Sequence, residues 1–323
     1  MTRKRLAVVV ALALGMLGGH TAEAQPASKV HRIGFLRFGE PPPTYIEGFR
    51  QGLREFGYLE GQNITIEYGV ARNAAQLPEI AAELVRRKVD VLVASGTPSV
   101  LPARNATRTI PVVFVAAIDP VAMGVITSLA RPGGNVTGVT AVHADVTGKR
   151  LELLKELLPK LSRIAFLVRA TSPATAQYVK EAELAARTLG AQLQVLAVRD
   201  SSDFEGAFSS ARGASALLVV DDAVMTAHRT QIAELALKNR LPTIYGLSEM
   251  VLAGGLMAYG PHYGDLYQHA ATQVHKILKG AKPADLPVEQ PTRFELVVNL
   301  KTAKTIGLTI PQSLLQRADQ IVQ

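Results

Sequence analysis

The stretch VDVLVASGTPSVLPARNA, residues 89–106, indicates the fold class most directly. Its first six residues, Val89 to Ala94, are mostly apolar and β-branched, which predicts a short strand buried on both faces. Ser95-Gly96-Thr97-Pro98 follows, and a threonine directly before proline is typical of a helix N-cap with proline at the first helical position. A helix is then expected as far as Ala106. A buried strand joined by a tight turn to a helix is the unit of a parallel α/β sheet.

The same alternation continues on both sides of this stretch. Before residue 140 we predict strands at 33–36, 63–68 and 112–116 and helices at 44–56, 74–88 and from about 120. After a helix at 145–158 the alternation starts again, with strands at 164–168, 193–198, 216–220 and 243–245 and helices at 174–189 and 224–238. Crossovers between parallel strands are right-handed, so each run should form a doubly wound sheet. The expected fold class is α/β, with two doubly wound parallel-sheet lobes joined by a hinge of several crossings.

The C-terminal part of the chain sets the expected domain boundaries. A strand is predicted at 256–259, a helix at 263–279 and a further strand at 294–299. We expect the chain to return to the first lobe near Leu256 and to cross again to the second lobe near Pro291. The first lobe would then comprise residues 30–140 and 256–290, and the second lobe residues 141–255 and 291–323.

The N-terminus has the pattern of a secretory signal peptide, residues 1–24. Arg3, Lys4 and Arg5 precede an uncharged apolar run at 6–17, and Ala22-Glu23-Ala24 supplies the small residues that signal peptidase requires. Cleavage is expected after Ala24, at the end of this site. The apolar run is shorter than the roughly 20 apolar residues of a membrane-spanning helix. An uncleaved membrane anchor is the alternative. The chain has no cysteine to carry a lipid, so the expected location is the periplasm of a double-membraned bacterium.

The composition excludes several classes of site. The absence of cysteine excludes disulfides, thiolate metal sites and a cysteine nucleophile. Cleavage removes three basic residues and one acidic residue, which lowers the net charge from +8 to +6. The basic residues are scattered rather than gathered into a patch, so no nucleic-acid partner is expected. The histidines lack metal-binding spacing, and no nucleotide-binding or hydrolase motif appears. We therefore expect no metal, no cofactor and no enzymatic activity.

Polar residues that directly follow the predicted strands are the candidate ligand-binding residues, because ligands of open parallel sheets bind at the carboxyl ends of the strands. Thr97 and Ser172 each precede a proline and would direct a helix N-terminus towards an anionic group such as a carboxylate. Asp119 and Asp221 would suit an ammonium group. One carboxylate site and one ammonium site together describe an amino acid. Each of the four residues can instead be only a helix cap.

Aromatic residues near strand ends are candidates for the wall of the pocket. Phe38 follows the first strand, Tyr245 ends a strand of the second lobe, and Tyr259 lies at the expected return to the first lobe. Each can line an apolar pocket or stack on a planar group. Packing in the core is the alternative, and for Phe38 it is an equal one.

Several segments are similar to one group of bacterial ABC-transporter substrate-binding proteins. They include RIGFL at 32–36, LVASGTP at 92–98, RPGGNVTG at 131–138, KRLELLKE at 149–156, LMAYG at 256–260 and LPVEQPTRFELVVNL at 286–300. The resemblance covers essentially the whole chain after residue 24, and this group is associated with tryptophan- and tyrosine-type uptake systems. It implies a type I periplasmic-binding fold, with a ligand pocket between the lobes at Phe38, Gly39, Thr97, Pro98, Asp119, Ser172, Asp221 and Tyr245.

The predicted function is that of the periplasmic solute-binding component of an ABC importer. Its ligand would be a small molecule, best described as an amino acid, and the resemblance suggests an aromatic one. Because the ligand contacts both lobes only when they are closed, it would favour the closed form. The closed protein, expected to be a monomer, would deliver the ligand to a permease in the inner membrane. Two alternatives stay open, namely a periplasmic sensor subunit of a membrane receptor and an exported hydrolase that uses Asp119 or Asp221.

Overall fold

The computed structural model describes residues 30–141, 146–172 and 175–323. The predicted signal peptide, residues 1–24, lies outside the described residues. Residues 31–323 form one compact unit that contains both lobes. In the described part of the chain, no helix has both the length and the hydropathy needed to cross a membrane.

A five-stranded parallel sheet forms the first lobe, in the order β2-β1-β3-β4-β5. Its strands are β1 (His31–Phe38), β2 (Ile64–Ala71), β3 (Val91–Ser95), β4 (Val112–Ala117) and β5 (Val136–Thr140). The central strand β3 is fully buried, as the apolar run in the sequence predicts, because helices cover both faces of the sheet.

A seven-stranded sheet forms the second lobe, in the order β12-β11-β10-β9-β8-β6-β7. Its strands are β6 (Arg163–Arg169), β7 (Gln192–Val198), β8 (Ala216–Val219), β9 (Thr243–Tyr245), β10 (Met257–Pro261), β11 (Phe294–Asn299) and β12 (Gln320–Val322). All neighbours are parallel except β10 and β11, which pair antiparallel. The predicted α/β class with two parallel-sheet lobes is confirmed.

Helices follow most strands and cover the two sheets. They are α1 (Pro43–Glu55), α2 (Leu77–Arg86), α3 (Thr97–Ala106), α4 (Thr147–Leu157), α5 (Thr175–Thr188), α6 (Phe204–Ser210), α7 (Ala223–Ala227), α8 (Arg229–Lys238), α9 (Ser248–Leu252), α10 (Tyr263–Leu278), α11 (Leu300–Thr305) and α12 (Gln312–Arg317). Helix α3 begins at Thr97 directly after the β3 turn, so the polar residues of this turn lie at the carboxyl edge of the sheet.

The prediction that the chain returns to the first lobe near Leu256 is wrong. Strand β10 begins at Met257 and pairs with β9 and β11 in the second sheet. The physical reason is that β9 has only three residues and would leave an unpaired edge in an apolar sheet, which β10 covers. The return comes after Pro261, because α10 packs against α1 and β4 of the first lobe. Further along, Glu289 bonds to Gly138 and Thr140 at the edge of the first sheet, before β11 rejoins the second.

Helix α10 packs closely against α1, and glycines make this approach possible. A Cβ on Gly52 would lie 2.7 Å from the carbonyl oxygen of Gln268 and 2.8 Å from the Cβ of Ala271. Gly48, one turn earlier in α1, meets the backbone of Gly264 in the same way. This contact fixes α10 on the first lobe and so holds its N-terminal turn at the boundary between the lobes.

Candidate functional site

A cavity of about 900 Å³ lies between the lobes, at the carboxyl ends of the strands of both sheets. From the first lobe its polar and aromatic lining residues are Arg37, Tyr45, Thr97, Asp119, Thr140, Tyr263, Tyr267 and Gln290. From the second lobe they are Arg169, Ser172, Gln177, Tyr178, Glu181, Asp221, Asp222 and Thr226. The volume and the mixed lining suit a small organic molecule that carries polar groups.

Five of the predicted site residues line this cavity, namely Thr97, Pro98, Asp119, Ser172 and Asp221. The hydroxyl of Thr97 accepts a hydrogen bond from the backbone N–H of Ile118 at 3.1 Å, which ties the turn after β3 to the turn after β4. The exposed carboxylate of Asp119 accepts from the N–H of Ala122 at 3.0 Å. The strand-end turns therefore converge from both lobes, as the sequence predicts.

The other four predicted residues do not line the cavity. Tyr245 is 1 % exposed and packs inside the second lobe, where its ring lies against Gly255. The ring of Tyr259 stacks on Phe294 of β11 at 6.1 Å between centroids, because β10 belongs to the second sheet. Phe38 is buried in the apolar core of the first lobe.

Gly39 lies where the two lobes touch rather than in the cavity. A Cβ on this residue would lie 3.3 Å from the Cβ of Ala227, at the end of α7 in the second lobe. The expectations for Phe38, Gly39, Tyr245 and Tyr259 are thus corrected, since the first strand continues to Phe38 and both tyrosines face other protein groups.

Asp221 forms a buried ion pair within the second lobe. Its Oδ2 lies 2.7 Å from Nη2 of Arg150 on α4, and both side chains are 3 % exposed. Its Oδ1 accepts from the N–H of Gly246 at 2.8 Å, and Arg150 also donates from Nε to the carbonyl of Tyr259 at 2.7 Å. A side chain at Gly246 would collide with both carboxylate oxygens and with Arg150. The negative charge of Asp221 is therefore already balanced by the protein.

A second ion pair lies further out on the same lobe. Arg169 donates from Nε to Oδ2 of Asp222 at 2.9 Å and from Nη1 to the hydroxyl of Thr171 at 3.2 Å. The other oxygen of Asp222 caps α7 by accepting from the N–H of Val224. These bonds fix the loop after β8 against the end of β6, so this wall of the cavity is preorganised.

Two polar atoms on α5 are buried without a hydrogen-bond partner in the described part of the chain. They are the hydroxyl of Tyr178 and Oε2 of Glu181. Both residues line the cavity. Buried polar groups in folded proteins nearly always have partners, so these atoms mark a place where a ligand can supply one.

The floor of the cavity consists of Arg37 and three tyrosines, which were not predicted from the sequence. The rings of Tyr263 and Tyr267 stack on Tyr45 at 5.1 and 4.7 Å between centroids. The Cζ of Arg37 lies 5.2 Å from the centroid of the Tyr45 ring. Arg37 could have been noticed, because it is a charged residue inside an apolar strand. Tyr263 and Tyr267 could not, because nothing in the sequence shows that α10 faces α1.

Burial controls the protonation of this floor. It raises the pKa of Tyr45 and Tyr263 well above the usual value and raises that of Tyr267 as well. The three hydroxyls therefore stay neutral at physiological pH and can donate hydrogen bonds. Among the residues that the structure describes, no group of three or more histidine, aspartate and glutamate side chains could hold a metal ion.

Comparison with known proteins places the chain in a family. The family model described as ABC transporter substrate binding protein matches residues 43–322. The chain belongs to this family. The substrate-binding protein is also 30 % identical over 286 residues to a "Tyrosine-binding protein" of Clostridioides difficile strain R20291, a match that covers 87 % of this chain and 82 % of the relative.

Solved structures agree with the fold. A conserved domain protein from Vibrio cholerae matches with a TM-score of 0.85 at 27 % identity, over 91 % of this chain and 100 % of that one. An ABC domain from Streptococcus pneumoniae in complex with L-Trp matches at 0.83 and 27 % identity, over 90 % and 99 %. The ligand-free, open structure of a substrate binding protein from Clostridium difficile matches at 0.68 and 28 % identity, over 91 % and 100 %. The predicted family, fold and role in an ABC transporter are confirmed.

Proposed function

We propose that this substrate-binding protein captures an aromatic amino acid between its lobes and delivers it to the permease of an ABC importer. The observation that carries the proposal is the cavity itself, which has polar strand-end turns from both lobes and a floor of stacked tyrosines. Aromatic rings favour planar ligand groups, and the polar turns suit the charged groups of an amino acid. The tyrosine-binding and tryptophan-bound relatives support the same ligand class.

Lobe closure is the proposed mechanism of capture. The TM-score is 0.83 against the tryptophan complex but 0.68 against the open, ligand-free relative, although the two relatives are almost equally similar to this chain in sequence. We infer that the described arrangement of the lobes is close to the closed form. A ligand that touches both walls binds this form more tightly than an open one and so shifts the population towards it.

For the charged groups of the ligand, the proposed partners remain Thr97 and Ser172 for the carboxylate and Asp119 and Asp221 for the ammonium group. Asp221 is the weaker candidate for the ammonium group, because Arg150 already balances its charge. Glu181 offers a buried carboxylate oxygen without a partner and is therefore added to the ammonium site. All five residues line the cavity.

The setting of this function is proposed from the sequence. We propose that residues 1–24 direct export and are removed after Ala24, and that the mature protein acts as a monomer in the periplasm. We also propose that it binds its ligand without chemical conversion, because the matching family model is described as a substrate binding protein.

Thermal unfolding of the protein without residues 1–24 tests the ligand class. The protein is first unfolded and refolded to remove carried-over ligand, and then screened with amino acids, nucleobases, sugars and small carboxylates. A ligand specific for the folded state raises the melting temperature, because stabilisation follows RT ln(1 + [L]/Kd). We expect tyrosine or tryptophan to give the largest rise. A rise with sugars or nucleobases alone would show that the ligand class is wrong.

A further inference from the structure

Arg37 is a buried cation without an acidic partner in the part of the chain that the structure describes. It lies in the apolar strand β1, its side chain lines the cavity between the lobes, and the residue is 4 % exposed. None of the ion pairs that the structure forms within residues 30–141, 146–172 and 175–323 involves Arg37. A buried charge is costly unless it is paired, so this arginine requires an explanation.

The groups that hold Arg37 are all neutral. Its Nη1 donates to the hydroxyl of Ser95 at 2.9 Å and to that of Tyr267 at 3.2 Å. These two hydroxyls bond to each other at 2.6 Å, and the guanidinium lies over the ring of Tyr45. The Nε atom has no hydrogen-bond partner among the described residues. The guanidinium is thus held in place by neutral groups while one of its donors stays unused.

No ion pair joins Arg37 to Glu249, on α9 of the second lobe, among the described residues. The field of Arg37 lowers the pKa of Glu249, but burial has the larger effect and raises that pKa above its usual value. The carboxylate of Glu249 instead accepts a hydrogen bond from the hydroxyl of Thr44 at 2.9 Å. The hydrogen bond of Glu249 therefore goes to Thr44 rather than to Arg37.

A second cationic feature converges on the same edge of the sheet. Arg37 of β1 is the register partner of Ser95 in β3, and α3 begins two residues later at Thr97. Thr97 lines the same cavity. Because Pro98 has no N–H and the N–H of Ser99 donates to the carbonyl of Gly96 at 3.1 Å, the first turn of α3 contributes mainly the partial positive charge of a helix N-terminus, which favours a bound anion.

We propose that Arg37, together with the first turn of α3, binds the carboxylate of the transported solute, so that the protein selects for solutes that carry a carboxylate. The proposal deepens the proposed function and rests on it for the amino-acid class. The requirement for a carboxylate can nevertheless be tested separately. The solute would supply the negative charge that the protein withholds from Arg37, with a geometry that the planar guanidinium favours.

Paired ligands and a paired variant test this proposal. Binding of L-tyrosine, tyramine and 3-(4-hydroxyphenyl)propionate is measured by titration calorimetry on the refolded wild type and on Arg37→Gln. Tyramine lacks the carboxylate and the propionate lacks the amine. We expect Arg37→Gln to weaken tyrosine and propionate about 10- to 100-fold, as for a lost charged hydrogen bond, and to leave tyramine within about threefold.

Two further variants serve as controls. Arg32→Gln makes the same chemical change on the same strand, at an exposed residue that pairs with Glu67, and should bind like the wild type. If Arg37→Gln does not fold, Arg37→Lys keeps the charge but loses the planar guanidinium. It should show an intermediate loss for the two carboxylates only.

The outcomes separate the two proposals. Equal weakening of tyrosine and tyramine in Arg37→Gln would mean that Arg37 only supports the fold of the site, and unchanged tyrosine binding would also overturn the carboxylate role. If the propionate binds in a way that depends on Arg37 and tyrosine does not bind, the carboxylate site stands but the amino-acid ligand is wrong. A wild type that binds neither carboxylate at millimolar concentration overturns the proposal for Arg37.

Discussion

At the scale of single residues, the cavity contains buried charges of two kinds. Asp221 is paired with Arg150 and also bonded to the backbone of Gly246, so its charge is compensated inside one lobe. Among the described residues, neutral hydroxyls and a ring hold Arg37. The first arrangement stabilises the wall of the cavity, whereas the second leaves a charge available to a ligand.

Replacing Asp221 with asparagine should therefore lower the free energy of unfolding of the ligand-free protein. The amide keeps an acceptor for Gly246 but leaves Arg150 buried and uncompensated. Removing one partner of a buried pair costs about 3–5 kcal/mol of the free energy of unfolding. Urea denaturation of the ligand-free protein measures this change. Glu152→Gln breaks an exposed pair with Lys149 on the same helix and should cost less than about 1 kcal/mol. A similar small loss for Asp221→Asn would contradict the importance of the buried pair.

The positions of side chains at strand ends could be predicted from the sequence, because local chemistry decides them, whereas their contact with ligand stays a prediction. Thr97, Asp119 and Ser172 follow strands, and strand ends of a parallel sheet meet at one edge, so their placement could be predicted. The partner of Asp221 could not, because Arg150 comes from a helix far earlier in the chain. For the same reason the tyrosine floor, assembled from α1 and α10, was missed.

At the scale of elements, the pairing of α1 with α10 positions one side of the site. Tyr45 on α1 and Tyr267 on α10 stack only because glycines allow the helices to approach. The sequence indicated both helices but not their contact. In the same way it indicated a strand near residue 257 but placed it in the wrong sheet. Periodicity identifies an element, whereas its neighbour depends on contacts between distant segments.

Gly52→Ala tests this helix contact. The added methyl group would meet the backbone carbonyl of Gln268, which cannot rotate away, so overpacking should cost towards the upper end of about 1–3 kcal/mol and outweigh the gain in helix propensity of about 1 kcal/mol. Chemical denaturation measures the net loss. Gly206→Ala in α6 is the matched control, because its new Cβ would meet nothing within 4 Å and should stabilise the protein slightly. If both variants were equally stable, the close approach of α1 and α10 would be wrong.

At the scale of the whole molecule, the two lobes also meet through Thr44 and Glu249. Burial raises the pKa of Glu249, so this carboxyl group is harder to ionise in the folded protein than in the unfolded chain. Its contribution to stability is present at a pH below the unfolded value of about 4.3 and is lost as pH rises through the higher folded value. The stability that the buried Glu249 contributes should therefore fall as the pH rises.

Glu249→Gln should remove this pH dependence. Glutamine cannot ionise but keeps an oxygen that accepts the hydrogen bond from Thr44. The melting temperature of the variant should exceed that of the wild type at pH 8, and the difference should shrink towards pH 4. Glu79→Gln changes an exposed glutamate on α2 and should follow the wild type. A constant difference between Glu249→Gln and the wild type across this range would show that ionisation of Glu249 does not matter.

The proposed function requires the two lobes to close on an aromatic amino acid. Small-angle X-ray scattering of the refolded, ligand-free protein during titration with L-tryptophan or L-tyrosine can detect this closure. We expect the radius of gyration to fall in proportion to bound ligand and to saturate at one ligand per chain, because the ligand favours the closed form. A radius of gyration that stays constant with both amino acids up to millimolar concentration would contradict ligand-induced closure.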